Sequence, residues 1–268
     1  MALHHHRGGS GEPLVLVHGL ASHWQAWGRV LPALEARHEV LAIDLPGFGG
    51  SAPDGTGPSV EEQAVRVERF FAEAGVERPH VCGFSMGGGI ALELARRGAV
   101  RSATAIAPVG FWTPRERAWC QRSLDTAVSA GKALGPLAPT IARSAVGRTA
   151  LLGQNFARPW RMTPEEVLGT LQAATTCPGF RPCNDAFTGH CFHDGDELRG
   201  VPVTVAWGDK DRLLLYRQAA RAAKALPWAT HVTLHGCGHV PFTDDEDQAA
   251  RAILAGAALG SAVPAAAA

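Results

Sequence analysis

The sequence predicts an α/β fold, with a mostly parallel sheet flanked by helices and a helical segment inserted between two strands. Short apolar runs alternate with helix-like segments through residues 14–107, which is typical of a parallel sheet. Over residues 111–198 no strand-like run occurs, and the strand pattern then resumes. We therefore expect a core formed by residues 1–110 and 199–268, with residues 111–198 as a helical cap.

The individual elements follow from local patterns. Strand-like runs occupy residues 14–17, 41–43, 81–82, 102–107, 201–207 and 231–235, and residues 4–6 are expected to form a short edge strand before a glycine-rich turn. Ser59 and Glu62 match a capping box, and apolar residues follow at helical spacing to Ala74. Thr113 and Thr163, each followed by proline, mark helix starts within the insertion.

Bulk composition limits the partners. The 268 residues are 46% hydrophobic, and 25 basic residues balance 25 acidic ones. No block of lysine and arginine occurs, which argues against nucleic acid and anionic membrane surfaces as partners. No apolar run approaches the roughly 20 residues that span a bilayer. Because the first residues lack a signal-peptide core, the expected location is cytoplasmic. The oligomeric state stays open.

Residues 81–89 are the most informative segment. An apolar run leads into Gly83-Phe84-Ser85-Met86-Gly87, and an amphipathic helix pattern follows. A serine held on a sharp strand-to-helix corner needs glycine on either side, because a Cβ there would collide with neighbouring backbone. The segment therefore predicts that Ser85 is a nucleophile.

Two backbone N–H groups are expected to bind an oxyanion beside this serine. The N–H of Met86 lies at the start of the predicted helix, where the partial positive charge favours a developing negative charge. Residues 14–17 lead into His18-Gly19-Leu20, a loop able to supply a second donor from the Leu20 N–H. His18 itself is expected to shape this turn.

A carboxylate and a histidine follow the serine, each just past a strand-like run. The first run ends in Gly208-Asp209-Lys210-Asp211, and the second ends in Gly236-Cys237-Gly238-His239. Serine is a poor nucleophile until a base takes its proton, and a carboxylate must orient that base. Open parallel sheets place their sites at the carboxyl ends of strands, so these groups are expected to meet Ser85 there.

Five motifs in this order resemble the α/β-hydrolase family over nearly the whole chain. They are His18-Gly19-Leu20, Asp44-Leu45-Pro46-Gly47-Phe48-Gly49-Gly50-Ser51, Gly83-Phe84-Ser85-Met86-Gly87-Gly88, Gly208-Asp209-Lys210-Asp211 and Gly238-His239-Val240-Pro241. The resemblance implies a nucleophile at Ser85, a base at His239, and oxyanion N–H groups at Leu20 and Met86. Its Gly-x-x-Asp pattern implies the acid at Asp211, with Asp209 as the alternative. Some members carry the acid one strand earlier, but residues 105–110 contain no carboxylate.

The aromatic residues of the expected cap suggest an apolar substrate pocket. They are Phe111, Trp112, Phe156, Trp160, Phe180 and Phe187. Phe111 and Trp112, at the hinge, and Val240, beside the base, are the predicted substrate contacts. The alternative is that most of these aromatic residues only pack the cap onto the core.

Cysteines and histidines cluster between Cys177 and His193, which invites a zinc interpretation. The members are Cys177, Cys183, His190, Cys191 and His193. Their spacing matches no ordinary Cys-x-x-Cys pairing, so free cysteines in a reducing compartment are the preferred interpretation. No metal and no cofactor is expected.

These features predict a serine hydrolase that cleaves a small apolar ester, or a related acyl substrate, through an acyl-enzyme. Alternatives within the fold are thioesterases, lactonases, perhydrolases of the haloperoxidase type and carbon–carbon bond hydrolases. The last typically carry Asn before the nucleophile and Trp after the base, where this chain has Phe84 and Val240. Epoxide and haloalkane enzymes use an Asp nucleophile, which Ser85 argues against. A non-catalytic ligand-binding protein is the alternative from a different class.

Overall fold

A seven-stranded sheet forms the centre of the protein in a computed structural model that describes residues 2–192 and 195–262. The strands are β1 (His5–Gly9), β2 (Pro13–Val17), β3 (Glu39–Ile43), β4 (His80–Phe84), β5 (Ser102–Ile106), β6 (Val203–Gly208) and β7 (Thr230–Leu234). Their spatial order is β1-β3-β2-β4-β5-β6-β7. Strand β1 runs antiparallel to β3 at the edge, and every other pairing is parallel.

The described α-helices alternate with these strands. They are α1 (Leu31–Glu35), α2 (Val60–Ala74), α3 (Met86–Arg96), α4 (Pro114–Leu134), α5 (Ala138–Ala142), α6 (Ala145–Leu152), α7 (Pro164–Thr176), α8 (Phe180–Ala186), α9 (Arg217–Ala225), α10 (Pro241–Asp244) and α11 (Glu246–Ser261). Short 3-10 turns lie at Trp24–Trp27, Gly135–Leu137, Pro159–Arg161 and Asp196–Leu198. No described helix is both long enough and apolar enough to span a membrane.

Both faces of the sheet are covered, because alternate strand residues point to opposite sides. On β2, Val15 and Val17 join an apolar cluster with α2 and α3, whereas Leu14 and Leu16 join a second cluster with α1 and α11. The strands are therefore buried on both faces, as parallel sheets usually are.

The chain between β5 and β6 forms the helical insertion, residues 107–202, in which the described residues contain helices and turns but no strand. Helices α4 and α7 begin at Thr113 and Thr163, and each start carries a complete capping box. Helix α7 packs against α4 and α5.

The predicted fold class is confirmed. Ser59 also caps α2 with a complete capping box. Of the expected edge strand at residues 4–6, His5 and His6 lie in β1, which begins after His4 and continues through Gly8 and Gly9 instead of turning there. Helices α5, α6 and α8 were not foreseen, since each is short: five, eight and seven residues. Helices of that length are stabilised by packing rather than by their own sequence.

Candidate active site

Ser85 occupies the sharp corner between β4 and α3. Its backbone angles are φ 58° and ψ −119°, a strained conformation for a residue with a side chain. The corner has no room for larger neighbours: a Cβ on Gly83 would lie 1.9 Å from the Gly87 carbonyl oxygen, and one on Gly87 would lie 2.1 Å from that of Val17. The Ser85 N–H donates to the Ile106 carbonyl at 2.9 Å, which ties the corner to β5.

Both predicted oxyanion donors lie beside this corner. Met86 is the first residue of α3, where backbone N–H groups lack partners within the helix. The loop after β2 packs directly on the serine, since a Cβ on Gly19 would lie 3.0 Å from the Ser85 Cβ. Leu20 follows in this loop and lines the same cavity as Ser85. The Met86 N–H therefore lies at the helix start next to Ser85, and Leu20 belongs to a loop that packs on this serine.

The buried His18 ring holds this loop through both of its nitrogens. Nδ1 donates to the Gly19 carbonyl at 2.7 Å, and Nε2 accepts from the Leu45 N–H at 3.0 Å. Burial lowers the pKa of His18 to about 4, so the ring is neutral at neutral pH and its acceptor nitrogen stays available. His18 thus connects the loop after β2 to the loop after β3.

Asp44 also joins the loop after β2 to the loop after β3. One carboxylate oxygen accepts from the Trp24 N–H at 2.7 Å, and the other accepts from the Gly50 N–H at 2.8 Å and contacts His4 Nδ1 at 2.7 Å. The Ser51 hydroxyl donates to the Asp44 carbonyl. The sequence motif around Asp44 was recognised, but this supporting role was not predicted.

Asp211, on the loop after β6, contacts His239, on the loop after β7. Its Oδ2 lies 2.8 Å from His239 Nδ1, and its Oδ1 accepts from the Leu213 and Leu214 N–H groups at 2.9 Å each. Because a carboxylate only accepts, Nδ1 carries the proton and Nε2 is the basic nitrogen of the neutral ring. Both side chains are almost fully buried.

Asp209 faces a different group. Its Oδ1 accepts from the Gly236 N–H at 2.8 Å, and its Oδ2 lies 3.6 Å from the exposed ring of His235. Asp209 therefore shapes the loop after β7, and Asp211 is the carboxylate that contacts His239.

Ser85 and His239 line one cavity of about 760 Å³. The Phe84 ring, next to the serine, lies edge-on to the His239 ring with centroids 6.5 Å apart. Leu20 and Val240 also line the cavity. Further apolar lining residues that the sequence did not reveal are Leu124, Met162 and Leu213.

The opposite wall is one face of α7. Its lining residues recur at helical spacing and are mostly small or polar: Glu165, Glu166, Gly169, Thr170, Gln172, Ala173 and Thr176. Arg29, from the core side of the cavity, forms a two-pronged ion pair with Glu166, with both N–O distances 2.8 Å. The cavity thus has an apolar part and a polar wall that belongs to the insertion.

The structure does not bring Phe111 and Trp112 into this cavity. The Phe111 ring packs on Phe192 with centroids 4.8 Å apart. The Trp112 indole donates to the His190 carbonyl at 3.0 Å, and its ring packs on Phe187. Both side chains are buried where the chain leaves β5.

The other aromatic residues of the insertion divide between packing and lining. Phe156 lines the cavity, Phe180 and Phe187 are buried in the main core, and Trp160 is half exposed. The alternative that most of these rings pack the insertion onto the core is therefore the better description, and Phe156 is the exception.

The cysteines and histidines near residue 190 form no described metal site. Within residues 2–192 and 195–262, no three His, Cys, Asp or Glu side chains are arranged to bind a metal ion together. His193, the remaining member of that cluster, lies outside the described residues. All six cysteines are free, and burial raises the pKa of the Cys237 thiol to about 12, far from a reactive thiolate.

Known proteins share this arrangement of sheet and loops. The family model of the alpha/beta hydrolase family matches residues 14–252. The chain therefore belongs to the alpha/beta hydrolase family.

Individual relatives are distant. The dihydrolipoyllysine-residue acetyltransferase component of the acetoin cleaving system of Cupriavidus necator is 29% identical over 241 residues, which cover 87% of this chain and 60% of that protein. This chain thus spans about 60% of that relative's length. Lipase 1 of Psychrobacter immobilis is 26% identical over 252 residues, covering 90% of this chain and 75% of the lipase.

A solved structure of similar shape is that of a membrane phospholipase A, described as a bacterial virulence factor. It superposes with a TM-score of 0.75 at 26% identity, covering 98% of this chain and 88% of that chain.

Proposed function

We propose that this protein is a hydrolase, a serine esterase that cleaves small carboxylic esters through an acyl-enzyme. The observation that carries the proposal is the buried Asp211–His239 pair, whose His239 lines the same cavity as a serine held at positive φ. A nucleophile, a base and a carboxylate that orients the base are the parts that acyl transfer to serine requires.

In the proposed reaction, Ser85 Oγ attacks the ester carbonyl while His239 Nε2 accepts the hydroxyl proton. Asp211 holds the imidazole and stabilises its charged form, and the Leu20 and Met86 N–H groups bind the oxyanion. The protonated His239 then gives its proton to the departing alcohol. A water molecule, deprotonated by His239, attacks the acyl group, and the acid leaves with Ser85 restored. No step uses a metal or a cofactor.

The cavity supports an apolar substrate. The apolar side chains near the serine, together with Phe156 and Val240, suit a medium-chain or aryl group better than an acetyl group, because remote apolar contacts help to position the scissile carbonyl. The insertion acts as a cap in this proposal, since α7 supplies the wall opposite the core loops. Fold alone does not set the substrate.

A fluorophosphonate probe tests the nucleophile. The probe should label the protein at one site, and Ser85→Ala should abolish labelling and lower turnover of p-nitrophenyl esters by several orders of magnitude. Ser22, another serine of the cavity wall, is the matched control, and Ser22→Ala should still be labelled. Labelling that survives in Ser85→Ala would refute the assignment.

A substrate screen separates the alternatives within the fold. Esters, thioesters and lactones share the acyl-enzyme route, so their relative kcat/KM defines the natural class. Carbon–carbon bond hydrolysis is disfavoured because the position before the serine carries Phe84, whose ring packs on Trp27 and Phe242 and offers no polar group.

A further inference from the structure

The loop that carries His239 is held on both sides by a segment of the insertion, residues 155–158. Before the histidine, the close approach leaves no room for a side chain on Gly238, where a Cβ would lie 2.7 Å from the Ala157 nitrogen. After the histidine, the Val240 N–H donates to the Asn155 carbonyl at 3.0 Å. The backbone of His239 is therefore seated against the insertion rather than against the sheet alone.

Asp244 is the side chain that joins the two segments. It is fully buried, and its Oδ2 accepts from the Gly238 N–H at 2.8 Å and from the Ala157 N–H at 3.0 Å. Its Oδ1 accepts from the Arg158 N–H at 2.6 Å. One carboxylate thus binds the residue before His239 and two successive residues of the insertion.

Two arginines reinforce the same junction. The guanidinium groups of Arg158 and Arg161 both donate to the Asp244 backbone carbonyl, and Arg161 also pairs with Glu246 at 3.1 Å. Asn155 and Phe156, at the start of the seated segment, line the cavity. The junction therefore lies between the cavity wall and the loop that carries the histidine.

We propose that Asp244 is a positioning residue, which fixes the backbone of the His239 loop to residues 155–158 and so sets the direction of the imidazole. This inference rests on the proposed role of His239 as the base. The imidazole must reach Asp211 with one nitrogen and the serine with the other, so a small rotation of the loop weakens proton transfer while leaving the cavity in place.

The variant Asp244→Asn tests this role with minimal change of volume. An asparagine has one oxygen that accepts, so its NH2 group must face either the Arg158 N–H or the N–H groups of Ala157 and Gly238. A buried donor then meets another donor, which loosens the junction. The matched control is Asp245→Asn, because Asp245 is the neighbouring carboxylate but caps α11 through the Gln248 N–H, and asparagine caps equally well.

Steady-state kinetics on a p-nitrophenyl ester should separate positioning from mere stability. At a temperature where near-ultraviolet circular dichroism shows both variants folded, Asp244→Asn should lower kcat by about tenfold or more with KM changed by less than about threefold. The rate of fluorophosphonate labelling should fall in parallel. Asp245→Asn should match the unmodified protein in all three measurements.

A spectroscopic readout makes the test independent of activity. The proton on His239 Nδ1, shared with Asp211, should give a far-downfield proton resonance, assigned by its loss in His239→Ala. Asp244→Asn should shift or broaden this resonance, and Asp245→Asn should leave it unchanged. If Asp244→Asn does not fold, Arg161→Met, at an exposed residue, should move the same resonance by a smaller amount.

The outcomes are distinct. If Asp244→Asn folds and leaves both the resonance and kcat unchanged, the positioning role is overturned. If only Arg161→Met folds, an unchanged resonance in that variant overturns it. Full turnover in Ser85→Ala would instead refute the proposed function, and the resonance would still report whether Asp244 orients His239.

Discussion

The two sides of the cavity are built in different ways. On the core side, Ser85 is held by its positive φ and its flanking glycines, and the loop after β2 is held by the buried ring of His18. On the insertion side, the wall consists of side chains on α7, and side-chain contacts such as the Arg29–Glu166 pair attach it to the core.

The difference separates chemistry from selectivity. Groups that react must be held to within a fraction of an ångström. Rigid strand ends and a sterically constrained backbone provide this precision. A wall of side chains on a helix can change its shape without disturbing that geometry. We therefore expect substitutions on the core side to affect kcat strongly, and substitutions of the cavity-lining side chains of the insertion to affect the choice of substrate.

The largest expected effect is that of Asp211→Asn. Its amide can no longer accept from both the backbone and His239, so the imidazole loses its orientation, and kcat for ester hydrolysis should fall by about 10³-fold to 10⁴-fold. Asp209→Asn is the control, because Asp209 contacts the Gly236 N–H instead, and its loss should be less than about tenfold. The opposite ranking, at equal stability, would assign the orienting role to Asp209.

His18 should make the stability of the core side depend on pH. Burial lowers the pKa of His18 in the folded protein to about 4, from the ordinary histidine pKa of 6.5, so the unfolded chain binds the extra proton between these values. Stability is then fully present above the unfolded value and is lost as the pH falls toward the folded one. This group should remove about 3 kcal/mol of unfolding free energy over that range.

Urea unfolding between about pH 7 and pH 4.5 measures the slope of the unfolding free energy against pH. His18→Gln should be less stable at neutral pH, since the Leu45 and Gly19 contacts change, but its unfolding free energy should fall less steeply on acidification. Burial also lowers the pKa of His80. Because His80 is present in both proteins, its contribution to the pH dependence cancels when the two are compared. His235→Gln, at an exposed ring, should keep the original slope. An equal slope in His18→Gln would show that His18 is not the titrating group.

Sequence patterns revealed the core side because its constraints are local. Glycines around Ser85 are required by sterics, and short apolar runs that alternate with helix-like segments are sufficient to identify strands. The residues that line the cavity could not be predicted from such patterns, because they depend on how the insertion folds back over the sheet. Phe111 and Trp112 are adjacent to the site in sequence yet buried elsewhere, whereas Phe156 and α7 reach the cavity from farther along the chain.

Phe156 should set selectivity for acyl-chain length. For the unmodified protein, kcat/KM for p-nitrophenyl esters should rise with chain length, because each methylene that enters an apolar pocket contributes up to about 0.8 kcal/mol, or about fourfold. Phe156→Ala should flatten this trend while changing acetate hydrolysis less. Phe111→Ala serves as the comparison: it should lower the melting temperature but leave the trend in place. A flat profile in the unmodified protein would place selectivity outside the apolar lining.

The smallest expected effect concerns the Arg29–Glu166 pair, which links the two sides directly. Both side chains are partly buried, with 24% and 35% of their surface exposed, so a double-mutant cycle of Arg29→Met and Glu166→Gln should give a coupling of about 0.5–1 kcal/mol that weakens with salt. Glu166→Gln can keep the capping box with Thr163 through its one acceptor oxygen, but it loses the charge and the second acceptor that faces Arg29. In the variants that break this ion pair, native-state hydrogen exchange should be faster in α7 and unchanged in α3. Equal acceleration of exchange in both helices would mean that the core and the insertion open as one unit. The two sides of the cavity would then not differ in their opening motions.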